Sequence, residues 1–175
     1  MNDLEEFTHR QQNLYFQELF ELKVACEYMR QYRERVALRV RQFDGLKAVA
    51  SSGAIATWAV VQSYPLIWAG IIALAQVADA LKDVFPFAAR LEATSGAVMS
   101  LDALFIEALY EWEGIFSGKF SDEEITDKRR KLMQLRHDIE AKHFPTGNLP
   151  VREGLLKLAK EDAITYLQNM FGPGE

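Results

Sequence analysis

The chain has one cysteine, Cys26, so it forms no intramolecular disulfide and no thiolate metal cage. Five prolines and ten glycines in 175 residues are too few for a loop-rich β protein or a fibrous repeat. Basic residues are in deficit, 20 against 25 acidic ones. The formal charge of −5 argues against a protein that coats nucleic acid through overall charge. Gly-rich phosphate loop, HExxH pair, nucleophile elbow and metal-spaced His/Cys set are all missing. His9, His137 and His143 are isolated and read as surface or helix-terminal residues. These absences leave no catalytic constellation and no cofactor site to expect.

The largest absence is local. From Ala48 to Ala78, 31 residues pass without one charged side chain, although charged residues make up 26% of the chain. The window is too long for one membrane span of about 20 residues and is interrupted at Tyr64-Pro65. Splitting it there predicts two short apolar helices, Ala48–Ser63 and Pro65–Leu81, with Pro65 in the first turn of the second, where its missing N–H is harmless. Trp58, Tyr64 and Trp68 bracket the turn as interfacial aromatics do. Arg30, Arg33, Arg35, Arg39, Arg41 and Lys47 precede the window against only Glu34 and Asp44, and Lys82 and Arg90 follow it. That distribution predicts a membrane hairpin with both termini in the cytoplasm. Ala48, Ser52 and Ala56, then Ala69 and Ala73, repeat at four-residue spacing, which allows close helix approach in lipid. The competing reading is a helical hairpin buried inside a soluble bundle, because each half is short, Ala-rich and carries polar residues such as Gln62 and Gln76. Asp3, Glu5 and Glu6, with no apolar run beside them, argue against a signal peptide.

Elsewhere the pattern is helical throughout. Neither Gly nor Pro occurs from Leu4 to Phe43. Tyr15, Leu19, Leu22, Cys26, Met29, Val36, Val40 and Phe43 keep heptad-like spacing, so one long helix is expected, running on into the first apolar segment. After the break at Phe85-Pro86, a second seam follows on Leu91, Val98, Phe105 and Trp112, with Thr94, Leu101, Ala108 and Ile115, and ends at Ser117-Gly118. Ser121 with Glu124 predicts a capping box opening a helix that carries Ile125, Leu132, Leu135 and Ile139 inward and stops near Phe144-Pro145. A last helix with Leu155, Leu158, Ala159, Leu167 and Met170 ends at Gly172-Pro173. No segment alternates with period two. The expected architecture is all-α in a single domain: a long cytoplasmic helix over 1–44, a membrane hairpin over 45–82 and cytoplasmic helices over 83–175. The two seams predict assembly into a ring of identical copies, four by expectation.

Two sets of residues are candidates for function. Gln76 and Asp79 lie three apart on the second apolar segment and share a helix face. A carboxylate there either ends the span beside Lys82 or lines a pore once copies assemble. Two basic clusters, Arg33, Arg39 and Arg41, and Lys128-Arg129-Arg130-Lys131, are solvated faces, anionic-lipid contacts or the site of a phosphate-bearing ligand.

The order of two short apolar spans, Asp83-Val84-Phe85-Pro86, Glu111-Trp112-Glu113 and Gly118-Lys119-Phe120-Ser121-Asp122-Glu123-Glu124-Ile125 resembles the SLATT family of small two-transmembrane effector proteins. Ile139-Glu140-Ala141-Lys142-His143-Phe144-Pro145, Leu149-Pro150 and Ala163-Ile164-Thr165-Tyr166-Leu167 extend the likeness over roughly residues 40–171. The resemblance implies a bacterial inner-membrane protein of nucleotide-linked anti-phage defence that oligomerises, forms a pore and arrests the cell. It also implies a partner nucleotidyltransferase whose nucleotide or oligonucleotide product controls the pore. The alternative is a soluble or peripheral helical scaffold whose apolar hairpin is buried against a partner protein.

Overall fold

The computed structural model describes residues 2–56, 87–145 and 151–172, with five helical positions, 69, 70, 73, 76 and 77, between them. Among the described residues four helices have defined bounds, α1 (Asn2–Ala56), α2 (Phe87–Phe116), α3 (Asp122–His143) and α4 (Glu153–Phe171), and no strand occurs. The all-α expectation holds. α1 is one helix of 55 residues, because no breaker interrupts its first forty and it passes Gly45 and Gly53 into the charge-free window. Among the described residues no helix is long and apolar enough to cross a membrane. Most of the expected hairpin, including Trp58, Tyr64, Pro65, Trp68 and Asp79, lies outside the described residues.

Two compact units divide the chain, one made of Met1–Tyr32 with Ala93–Glu175, the other of Arg33–Glu92. α1 and α2 each contribute residues to both. In the first unit the four helices run alternately up and down. Gln12 reaches the Ile115 carbonyl at 3.2 Å while Arg30 pairs with Asp102 at 2.9 Å, so α2 is antiparallel to α1. Lys128 meets Glu111 and His143 meets Ser100, which sets α3 antiparallel to α2. Phe16 stacks edge-on to Phe171 while Gln31 bonds Asp162, which sets α4 antiparallel to α1.

The heptad seams fill this bundle. Tyr15, Leu19, Leu22, Cys26 and Met29 of α1 are buried in one cluster with Val98, Leu101, Phe105, Ala108 and Trp112 of α2. Ile125 and Leu132 of α3 join them, with Leu135 and Ile139 half-buried against the edge. From Tyr15 to Met29 and from Val98 to Ile115 the seams expected to join copies are therefore occupied within one chain, and truncating a residue such as Leu101 to Ala costs about 2–5 kcal/mol. In the run Asn13-Leu14-Tyr15-Phe16-Gln17, which resembles an expression-tag protease site, Tyr15 is fully buried and Phe16 packs against this core, while Asn13 and Gln17 are exposed.

α4 buries only some of its apolar residues. Leu155, Ala159, Ala163 and Leu167 are buried, whereas Leu158 and Met170 are 46% and 45% exposed. The small Ala159 and Ala163 cluster with Val24 of α1, so an i, i+4 ridge makes the contact and leaves the bulkier neighbours on the rim.

Helix ends follow their local chemistry. α2 closes with Gly118 at φ 72°, its N–H bonded to the Ile115 carbonyl and that of Lys119 to the Gly114 carbonyl, a Schellman arrangement only glycine adopts without strain. The Phe120 ring then folds back onto Gly114, where a methyl group would stand 2.6 Å from it. α3 opens with the expected capping box: the Ser121 hydroxyl accepts from the Glu124 N–H, and the Glu124 carboxylate accepts from the Ser121 N–H at 2.8 Å.

Candidate functional site

The cationic cluster on α3 does not form one face. Consecutive helical residues are 100° apart, so four in a row point around the whole cylinder. Lys128 turns inward, 2.8 Å from Glu111 and 4.6 Å from the Phe120 ring centroid. Arg130 pairs with Asp127 at 3.0 Å on the exposed side. Arg129 and Arg130 share one outward side of α3 with Met133, Gln134 and His137, and Lys131 is exposed.

In the second unit, Arg33 is half-buried while Arg39 and Arg41 are exposed. Their spacing places Arg33 and Arg41 on one side of α1 and Arg39 on the other. Arg30, next to this cluster in sequence, is held in the first unit by Glu27 at 3.0 Å and Asp102 at 2.9 Å. The Asp102 hydrogen bond raises the Arg30 guanidinium above its ordinary range. Gln76 is helical and exposed, as are Ala69, Gly70, Ala73 and Val77, the last at 54%. Asp79 lies outside the described residues, so the proposed pairing of Gln76 with it has no described geometry.

Two polar networks were not anticipated from the sequence. In the first, the Tyr15 hydroxyl donates to Glu111 at 2.9 Å and lies 3.3 Å from the Ala108 carbonyl, and Lys128 takes the other Glu111 oxygen. Burial, then the Glu111 charge, pushes the Tyr15 phenol far above its ordinary value. In the second, Lys23 is 3% exposed, with its ammonium 2.7 Å from Glu27, 3.7 Å above the Tyr166 ring and 5.1 Å from that of Phe105. The i, i+4 spacing of Lys23 and Glu27 was visible in the sequence. The aromatic cover from α2 and α4 was not.

A cavity of about 260 Å³ opens beside α1, lined by Val24, Tyr28, Met29 and Leu156 with Glu21 and the Arg136–Glu140 pair among its walls. Two carboxylates against one guanidinium make it a poor host for an anion. Cys26 stays a protonated thiol, pushed up to about 12 by burial and then by Asp102. His143, the last residue of α3, packs on Gly96 and lies 3.4 Å from the Ser100 hydroxyl. His137 is exposed. Among the described residues no group of three or more His, Cys, Asp or Glu is arranged to hold a metal. Compared with known proteins, the chain matches no family model, no curated protein and no solved structure.

Proposed function

We propose that the chain is a pore-forming effector of the SLATT type, a homo-oligomer in the bacterial inner membrane acting in anti-phage defence. A nucleotide or oligonucleotide from an associated nucleotidyltransferase controls it, and its opening depolarises the membrane and arrests growth. The observation that carries this reading is the 31-residue charge-free window between basic flanks. Its described positions add support: Ala69, Gly70, Ala73, Gln76 and Val77 are all exposed, so the chain leaves these positions uncovered. Something outside the chain covers such a surface, and the positive flanks suit a bilayer.

Two spans cannot enclose water, so the pore needs several copies, four by expectation, with Gln76 and Asp79 lining it. For the anionic ligand, Arg33, Arg39 and Arg41 are the stronger candidates. In the other cluster Lys128 is committed to Glu111 and Arg130 to Asp127, which leaves Arg129 and Lys131.

The test combines topology and function. Reporter fusions at Gln62 and at the C-terminus should report opposite sides of the membrane, and both on one side defeats the hairpin. Expression without the partner depolarises cells if the ligand is an inhibitor and is harmless if it is an activator. No depolarisation in either condition, with the protein confirmed in the membrane, defeats the pore. A second reading, a scaffold whose hairpin is covered by a partner protein, is favoured by the short, Ala-rich halves of the window, which carry Ser51, Ser52, Gln62 and Gln76. A scaffold stays in the supernatant after detergent-free lysis.

A further inference from the structure

The side of α2 opposite the core is apolar. Met99, Ala103, Ile106 and Tyr110 are spaced four, three and four apart, as in a coiled-coil seam. All are exposed, Met99 and Tyr110 at 73% and Ile106 at 57%. Scattered exposed apolar residues are ordinary, but a continuous stripe along a helix is a contact surface.

Charge says what covers it. From Leu91 to Gly118 the chain has five acidic residues and no Lys, Arg or His. Asp102 and Glu111 are paired inside the bundle, whereas Glu107 and Glu113 flank the stripe in solvent. Two such faces set against each other would bring like charges together. A complementary face exists on the same chain. The outward side of α3 carries Arg129, His137 and Arg130, the last beside Asp127, around Met133, itself 50% exposed, with Asp138 at its edge. From Lys128 to Lys142 there are six Lys and Arg against two acids, of which Lys128 and Arg136 pair with Glu111 and Glu140 away from this side. Both faces are exposed on one bundle, so they meet only between copies.

We infer that the acidic-rimmed stripe of α2 docks on the outward side of α3 of a second copy of this chain. The contact is heterologous, with two different patches, so each copy offers both halves and a ring closes when the rotation allows. This supplies the assembly that the pore reading requires and rests on that many-copy reading, but it involves only the first unit.

The full chain, purified in mild detergent, tests this by light scattering. The wild type should be a multimer. Ile106→Asp on α2, and Arg129→Glu with Met133→Asp on α3, should each weaken association by about tenfold or more. Their helical circular dichroism should be unchanged, because these side chains are at the surface. Mixed, the two variants retain one intact half each and should form a one-to-one pair. In a separate pair of variants, Glu107→Arg with Glu113→Arg should dissociate the assembly, and Arg129→Glu with Arg130→Glu in the same chain should restore it. A monomeric wild type, an assembly untouched by Ile106→Asp, or an α3 variant that still dimerises by itself overturns the inference. Mass and conductance separate the two readings: a ring that never depolarises membranes defeats the pore and leaves the contact standing. Depolarisation by a chain whose mass ignores Ile106→Asp does the reverse.

Discussion

The ammonium of Lys23 lies 3.7 Å above the Tyr166 ring, joining the middle of α1 to α4 through a charge that is almost fully buried. An ammonium is tolerated there because Glu27 pairs with it at 2.7 Å and two rings cover it. Lys23→Met keeps the aliphatic stem and removes the charge. Glu27 still has Arg30, so the expected loss in urea unfolding is about 1–2 kcal/mol. Lys23→Glu places two carboxylates together away from water and should cost about 3–5 kcal/mol. Equal stability of the two variants would show that the aromatic cover, not the charge pair, dominates the site.

Tyr15 gives the bundle an alkaline limit. Burial and the neighbouring Glu111 raise its phenol pKa in the fold, so protonation is favoured more in the folded than in the unfolded chain. Its contribution is complete below the unfolded value of about 10 and is lost as pH rises from there towards the folded value. Tyr15→Phe should unfold about 1 kcal/mol more easily at neutral pH and show a weaker alkaline decline. In a spectrophotometric titration, Tyr15 should not ionise until the chain unfolds.

Glu124 sets an acid dependence of opposite sign. Its hydrogen bonds from Ser121 hold its carboxyl below the usual range, so its contribution is complete above the unfolded value and is lost as pH falls through the folded one. The melting-temperature gap between wild type and Glu124→Gln should be present at neutral pH and close as the pH falls below the usual carboxylate range. Ser121→Ala should cost about 1 kcal/mol.

Cys26, at about 12 and fully buried, should resist thiol reagents at mildly alkaline pH until the chain opens. Its labelling rate should follow global unfolding across a urea series. Rapid labelling of the native chain would mean that α1 separates locally from α2.

Much of the first unit was legible beforehand because it depends on short-range rules. Gly118 closing α2, Ser121 and Glu124 opening α3, and Phe144 following its end are all local backbone chemistry. The seam from Tyr15 to Met29 was legible because helical periodicity marks a buried stripe wherever the helix is placed. The same rules did not select the inward side of α4, where Leu155 is buried and Leu158 and Met170 are exposed, since several stripes of that helix are apolar and only its partner selects one.

The candidate site was less legible. The clusters Arg33–Arg41 and Lys128–Lys131 were visible as runs of charge, but a run carries no information about which member is already paired. The sequence by itself determined the all-helical pattern, the end of α2 and both ends of α3, one core stripe on each of α1 and α2, and the charge-free window, because each follows from residue spacing along one helix. Only the tertiary structure decided that the two seams meet inside one chain, that Lys23 lies beneath Tyr166, that Glu111 takes Lys128 out of its cluster, and that Met99, Ile106 and Tyr110 remain uncovered. Each of these depends on which helix lies opposite, and periodicity along one helix marks a face without naming its neighbour.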